Sequence, residues 1–426
     1  MLKFFSTHKK KVFVLTLLII LTALIVLNLF GFKDFLYKKY PNLSVLKEFK
    51  DNKFLSKHIK NDYNTVFLPD TQFEKLKLTK NKINFNSEYY VRNLTNNSGI
   101  ASSSYGSFFI ETYQDEILLI DYLGTVYKIN ENDVDELNPK KIDPIVIKSN
   151  FNSKKILDTL IHKDKIYISF VVEEKNCKTL NISQAKINLK ELNFETFFKG
   201  KECGELLLGG KMQFYNHNKL DGIIITTHGH KYNQPNQSPQ NNSSIYGKII
   251  FFDFQNKKPL IFSKGHRVSQ GLYVEGNIIL QTEHGPRGGD EINKIIFNKN
   301  YGWPVVSYGE KYGLGYTNEP YYKKNHSANN FEDPIFSFIP SIGISEIIKL
   351  PNSFSNHFKN NFLLSSLNKR HLYRVKFDQT FNKVLFYEKI FIGERVRDLK
   401  YIKKLNLFIM AFEENGEIGL LSNINE

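Results

Sequence analysis

Cysteine is nearly missing: the 426 residues contain only Cys177 and Cys203. Neither has a CxxC neighbour, which removes the ligand spacing of a structural zinc site. Outside the cytoplasm the two can form one disulfide, and in a reducing compartment they stay two free thiols; the sequence leaves both open. No long amphipathic helix interrupts the pattern beyond about residue 85, which excludes a helical bundle. No strict repeat signature such as the WD dipeptide recurs. Negative charge is in deficit, with 58 Lys and Arg against 43 Asp and Glu and a formal net charge of +15. The lysines are spread along the chain, without the clustered basic and aromatic groove that nucleic acid would need, so nucleic acid is not expected as a partner. Tryptophan occurs once, at Trp303.

What the chain does have is aromatic and turn-rich text, with 36 Phe and 23 Tyr, which favours β structure. From Phe85 onward, short apolar runs alternate with turn residues, as in GSFFIETY, EILLIDYLGTVYKI, KIYISFVVEE, GKIIFFDF and LNLFIMAFE. They recur every ten to fifteen residues or so, the spacing of a β-propeller or of stacked β-sandwiches. The polar stretch from His230 to Ser244 reads as an exposed loop between two such strands.

One long apolar run stands apart. Val12 to Phe32 carries no charge, is about 20 residues long, and so is sufficient to span a bilayer. No small-x-small cleavage site follows it. Lys3, Lys9, Lys10 and Lys11 precede it and predict an N-terminus inside and the remainder outside. The expected organisation is a cytoplasmic N-terminus (1–11), a transmembrane signal anchor (12–32), a juxtamembrane stalk (33–80) and a β domain (81–426). That places the chain in the inner membrane as a single-pass protein with a periplasmic domain; cleavage and secretion is the other possibility.

Chemically unusual residues crowd into Gly265 to Pro304: the pair His266 and Arg267, the run EHGPRGGDE from Glu283 to Glu291, and Trp303. Gly, Pro, Arg and acids packed between two apolar strands point to a held ion or anionic ligand.

With EHGPRGGDEIN, NYGWP, VSYGEKYG, GHRVSQGL, IPSIGIS, SSLNKRHLYRVKF and IGERVRDLKY in view, the chain resembles the quinoprotein sugar dehydrogenases of the soluble glucose dehydrogenase and aldose sugar dehydrogenase type. The resemblance covers roughly residues 85 to 420. It implies an all-β, six-bladed β-propeller that uses pyrroloquinoline quinone (PQQ) and Ca2+ to oxidise a sugar substrate; the expected membrane anchor, by its location, would keep it near a respiratory electron acceptor. It also implies residues. Arg267, Gln270, Lys211, Ser341, Asn368, Arg395 and Arg397 would contact the cofactor. The backbone carbonyls of Gly285 and Pro286 would hold calcium against the quinone, and Glu291 with the Tyr301 carbonyl would hold a second, structural calcium. His284 and Asp290 flank the place where cofactor and sugar meet. PQQ carries carboxylates and an ortho-quinone, so cationic forks and a Lewis acid suit it.

The chain also departs from the family pattern. Leu207 stands where the family has its catalytic histidine, and Lys211 replaces an Arg. His230 falls where an Asp supports that base, Val268 replaces an Asn, and Asn368 replaces a Lys that meets a PQQ carboxylate. Leucine accepts no proton, and general-base catalysis is worth about 10²–10⁴-fold. Either the base has moved, with His228, His230 and His284 as candidates, or the propeller has kept its calcium loop and binds a sugar, glycan or protein partner without catalysis. A third expectation is a scaffold that binds neither ion nor quinone.

Overall fold

The apolar runs become antiparallel ladders. The structure, a computed structural model, describes residues 76–82 and 107–423, apart from the short segments 135–143, 154, 176, 205–207, 230–236, 312–321, 356–357 and 414–416. The expected membrane segment 12–32 lies outside the described residues, among which no helix is long and apolar enough to cross a membrane.

The described strands begin with β1 (Leu76–Lys82), whose partner comes last. Blade one is β2 (Phe108–Tyr113), β3 (Glu116–Asp121), β4 (Val126–Asn130) and β5 (Ile145–Ser149). Blade two begins with β6 (Ile156–His162), β7 (Lys165–Glu174) and β8 (Cys177–Lys186). The short β9 (Glu191–Leu192) turns back to run parallel to β5, and β10 (Glu195–Lys199) then completes blade two on β8. Blade three is β11 (Met212–His217), β12 (Leu220–Thr226), β13 (Lys248–Asp253) and β14 (Pro259–Lys264). Blade four is β15 (Val268–Glu275), β16 (Ile278–His284), β17 (Asp290–Lys294) and β18 (Phe336–Phe338). Blade five is β19 (Ile344–Lys349), β20 (Asn361–Ser366), β21 (His371–Phe377) and β22 (Val384–Phe391). Blade six combines β23 (Val396–Ile402), β24 (Leu407–Phe412) and β25 (Glu417–Asn423) with β1, which pairs antiparallel to β25 from Leu76↔Asn423 to Lys82↔Glu417. The fold is therefore an all-β six-bladed propeller. Its ring starts with β1, ahead of the boundary expected between residues 80 and 81.

The core is six wedges, one between each pair of neighbouring blades. In β24, Leu407, Ile409 and Ala411 pack toward blade one, while Phe408, Met410 and Phe412 pack toward blade five. In β12, Ile223 and Ile225 face blade two and Ile224 faces blade four. Side chains alternate across a strand, so a strand covered on both faces needs an apolar residue at every position. This is why the central strands read as unbroken apolar runs.

The first strands of the blades contact one another around the axis: β2 with β6, β6 with β11, β11 with β15, β15 with β19, β19 with β23, and β23 with β2. The starts of these strands and the loops joining the second and third strands of each blade lie at one end of the ring. The unusual sequence motifs gather there. Cys177 and Cys203 form a disulfide at this end, beside a bridge in which Gly204 donates to the Lys178 carbonyl at 2.7 Å. The adjacent Glu202 accepts from the Ser244 hydroxyl and the Ile245 amide, so the staple extends to the far end of the long blade-three loop. Part of that loop is less exposed than its polar text suggests: buried Lys248 donates to the carbonyls of Ser238, Pro239 and Tyr246.

Candidate active site

The run EHGPRGGD forms the turn from β16 to β17, and glycine is required in it. A Cβ on Gly285 would lie 2.1 Å from the Gly289 carbonyl, and Gly289 itself sits at φ +71° against the Gly309 amide. Exposed Arg287 exchanges two backbone hydrogen bonds of 2.8 Å with Glu310, which fixes the turn against the VSYGE segment. Asp290 closes the turn from inside. One carboxylate oxygen accepts the Gly285 amide at 3.1 Å, and the other accepts the amides of Ile342, Gly343 and Ile344 at 3.0, 2.7 and 3.1 Å. Accepting four backbone N–H groups, Asp290 ties two loops together.

Arg267 lies across this turn. Its Nη1 donates to the carbonyls of His284 (3.0 Å) and Gly285 (2.8 Å), and its guanidinium stacks over the Trp303 ring, 5.1 Å from the centroid. Its backbone amide donates to Glu283 at 2.6 Å, and the other Glu283 oxygen meets His266 Nδ1 at 3.2 Å and Gln281 Nε2 at 2.7 Å. Glu283 thus positions Arg267, a task hidden in the sequence because an acid before HGP reads as part of the ligand loop. The Nε of Arg267 is buried and has no hydrogen-bond partner among the described residues. His284 donates from Nε2 to the Ile344 carbonyl at 2.6 Å, which leaves Nδ1 as the ring's acceptor. Burial holds this ring below its usual pKa; Asp290 opposes the shift, and Arg397 and Arg267 add to it.

Arg395 and Arg397 come from the opposite side, at the start of β23, where the register with β24 shifts between Val396 and Asp398. Both grip one fully buried carboxylate, Glu413: Arg395 Nε at 2.6 Å, and Arg397 through Nη2. Arg397 also donates from Nη1 to Gln270 of blade four at 2.6 Å, so its guanidinium reaches across the mouth of the ring. Glu413 was not foreseen; it ends β24 in an ordinary FEE turn. Ser341 lies at the same mouth and donates to the Pro286 carbonyl at 3.4 Å.

Just inside the mouth the axis is closed by charge. Lys211, which immediately precedes β11, places Nζ 2.9 Å from Asp158 of β6, 2.5 Å from Glu346 of β19 and 3.4 Å from Asp398 of β23. Asp158 also accepts the Met212 amide and Asp398 the Ile110 amide, each at 2.7 Å. Next to them Lys400 pairs with Glu111 of β2 at 2.7 Å. An ammonium has three donors, and at Lys211 three carboxylates take them. Burial works against the Lys211 charge, and Asp158, Glu346 and Asp398 overcome it, raising its pKa well above the usual lysine value. Four carboxylates share two ammonium groups, so burial drives Asp158 up to about 6 and Glu346 up to about 7, each assisted by its acidic neighbours.

Other expected residues are scattered. Asn368 is exposed on the blade-five rim, with its amide donating to the Ile342 carbonyl. Glu291 is buried below the turn, 3.8 Å from His326, and burial followed by the Glu283 charge raises its pKa well above the usual value. The Tyr301 ring stacks on His266 at 4.7 Å. Among the described residues no group of three or more His, Cys, Asp or Glu side chains is placed to hold a metal, so a calcium in the turn would rely on backbone oxygens. His230 and Leu207 lie outside the described residues. A cavity of about 330 Å³ lined by His162, Tyr167 and Phe254 opens at the other end of the ring, around the β6–β7 turn, away from these groups.

Known proteins place this arrangement. The glucose / sorbosone dehydrogenase family matches residues 156–420. Aldose sugar dehydrogenase YliI of Escherichia coli is 28% identical over 169 residues, 39% of this chain and 44% of that protein. Quinoprotein glucose dehydrogenase B of Acinetobacter calcoaceticus is 28% identical over 140 residues, 28% of this chain and 29% of that protein. The chain therefore spans less than half the length of either relative in these matches. The crystal structure of the soluble aldose sugar dehydrogenase of Escherichia coli, in its apo-form, superposes with a TM-score of 0.64 at 18% identity, covering 82% of this chain and all of that one. That likeness shows the same fold, and the family match runs from β6 to β25, taking in the turn, both arginine groups and the axial lysine. The chain belongs to the glucose / sorbosone dehydrogenase family.

Proposed function

We propose that this chain is a membrane-anchored, periplasmic sugar dehydrogenase, dependent on PQQ and calcium, that oxidises a sugar hydroxyl by hydride transfer to the quinone. The observation that carries this reading is Arg267: a guanidinium buried beside the glycine-rich turn, stacked on Trp303, with Nε lacking an acceptor among the described residues. A buried donor without a partner costs about 1–3 kcal/mol, and a carboxylate of the cofactor would satisfy it. Arg395 and Arg397, prepositioned by Glu413, supply further forks on the facing side. The relatives' names, aldose sugar dehydrogenase and quinoprotein glucose dehydrogenase, support the same substrate class and cofactor.

The donor chemistry also suits calcium. The Gly285 and Pro286 carbonyls each accept one protein hydrogen bond and keep a second lone pair for a hard cation. Glu291 with the Tyr301 carbonyl is the candidate pair for a second ion. When bound, PQQ supplies the hydride acceptor and calcium a Lewis acid beside it. The chain's own part is to clamp carboxylates with Arg267, Arg395 and Arg397, and to receive the hydroxyl proton at Nδ1 of His284, the acceptor left after Nε2 binds Ile344.

The disulfide supports an oxidising compartment, and the run 12–32 supports an anchor that keeps the enzyme near respiratory electron acceptors. Leu207 at the family's base position favours a second reading, a non-catalytic propeller that binds calcium and a sugar, glycan or protein partner. The test is to load the purified protein with PQQ and Ca2+, follow the quinone absorbance, and assay dye reduction with several aldoses. Turnover lost in His284→Ala supports the enzyme; quinone binding without turnover supports the second reading; no binding overturns the cofactor assignment.

A further inference from the structure

The wedge between blades two and three ends, on the side of the ring away from the mouth, in the cavity of about 330 Å³. Its walls come from the β6–β7 turn, from β10 and from the turn that follows β13. Tyr167 and Phe197 form a buried corner, their rings nearly perpendicular with centroids 5.5 Å apart. Phe254 lies 5.9 Å from Tyr167. The His162 ring runs nearly parallel to Phe254 at 5.6 Å and is backed by Phe214 at 3.8 Å. Aromatic rings on several sides suit a flat apolar guest.

The polar groups of the same cavity are left over. The Tyr167 hydroxyl makes no hydrogen bond among the described residues. Burial, then the Asp164 charge, push its pKa up to about 12, so at neutral pH it keeps its proton and can donate. Nε2 of His162 is buried and has no partner among the described residues. Lys163, Lys165 and Lys257 line the space and make no ion pair among the described residues. The Lys257 ammonium is placed by the fold itself, 5.3 Å over the centroid of the Phe197 ring. The nearby acids are engaged elsewhere. Asp164 lies 3.9 Å from Lys186, Asp221 accepts from Asn216 at 2.9 Å, and Glu195 accepts from the Gln184 amide at 2.7 Å. A free donor in an aromatic corner, beside unpaired ammonium groups, selects an anion that carries a flat ring. A neutral sugar would leave those cations unanswered.

We propose that this cavity is a second ligand site, separate from the mouth, that takes an aromatic carboxylate. The ring packs against Tyr167, Phe197 and Phe254, and the carboxylate accepts from the Tyr167 hydroxyl and pairs with Lys257. The site stands whether or not the mouth holds a quinone.

Naphthoate is the probe, titrated into the full chain by isothermal titration calorimetry. Wild type should bind it with a Kd below about 1 mM, within reach of a ligand of that size. Tyr167→Phe keeps the ring and removes only the hydroxyl, and should raise the Kd about fivefold. Lys257→Met should raise it about three- to tenfold, the loss of one charge-assisted contact. Naphthylmethanol, which lacks the charge, and glucose should each bind at least about tenfold more weakly than naphthoate. Arg267→Met, at the mouth, should bind naphthoate as wild type does. An unchanged Kd in either Tyr167→Phe or Lys257→Met overturns the site. Weakened binding in Arg267→Met also overturns it, by seating the probe at the mouth. Naphthylmethanol bound as tightly as naphthoate overturns the anionic class, and tighter binding of glucose gives the cavity to a sugar instead. No heat of binding for wild type at about 5 mM naphthoate overturns the proposal outright.

Discussion

The Nζ of Lys211 lies 2.5 Å from Oε2 of Glu346, two residues brought together from blades three and five across the axis of the ring. With Asp158 and Asp398 on the same ammonium, this one side chain links four blades. Lys211→Met should therefore destabilise the protein by about 3–5 kcal/mol, the cost of leaving buried carboxylates without their cation. Urea denaturation followed by circular dichroism measures it; a change under 1 kcal/mol would show that the cage is incidental.

The same cage sets an unusual pH dependence. Glu346 and Asp158 have folded pKa values raised to about 7 and about 6, above their unfolded values. Between the two states' values the folded protein binds the extra protons, so this contribution to stability declines as pH rises toward 7 and is fully lost above it. The melting temperature should rise on going from pH 8 to pH 6, opposite to the usual carboxylate trend. Glu346→Gln should flatten that slope, and a wild-type melting temperature that falls over this interval would refute the cage as its source.

Asp290 offers a separable test of architecture. Asp290→Ala would strip four amides of their shared acceptor, with an expected cost of about 3 kcal/mol or more. PQQ binding should fail as well, because the turn and the 341–344 segment lose their common anchor. Trp303 quenching and denaturation read the two effects in one sample. Normal stability in this variant would return Asp290 to the list of free carboxylates.

Arg267 should tolerate no substitution. Arg267→Met is expected to weaken PQQ binding by about 10–100-fold, and Arg267→Lys should not restore it, because an ammonium lacks the planar fork that spans the turn carbonyls and stacks on Trp303. Recovery by lysine would mean that charge alone is required there.

Joining Cys177 and Cys203 closes a loop with a sequence separation of 26, worth roughly 3.5 kcal/mol by the chain-entropy relation. The double variant Cys177→Ser, Cys203→Ser should lose most of this in denaturation and should no longer respond to reductant. A reductant-sensitive melting temperature in the double variant would place the effect elsewhere.

Local motifs were legible in the sequence because their reasons are local. Gly285 and Gly289 are needed by a turn only a few residues long, and Arg395 and Arg397, two apart, converge on one partner. The apolar runs announced the blades for the same reason, since each strand states its own burial. The axial cage was not legible. Asp158, Lys211, Glu346 and Asp398 each look like one polar residue in an apolar strand, and only closure of the ring brings them together. Glu413 escaped notice likewise, because what distinguishes it is the pair of guanidinium groups beside it in space. The protein partners of Asp290 and Lys211 were not legible either, because the groups that take their acceptors and donors lie far away in sequence.

Pairing of β1 with β25 makes the ring's last seam a joint between the two ends of the described chain. Phe108, Ile110, Ile117 and Leu119 of blade one are covered by Ile402, Leu407, Ile409 and Ala411 of blade six, some three hundred residues later in the chain. Blade one therefore waits on the last tenth of the chain for its cover, and a premature stop before residue 417 would leave β1 and β24 without the strand that joins them.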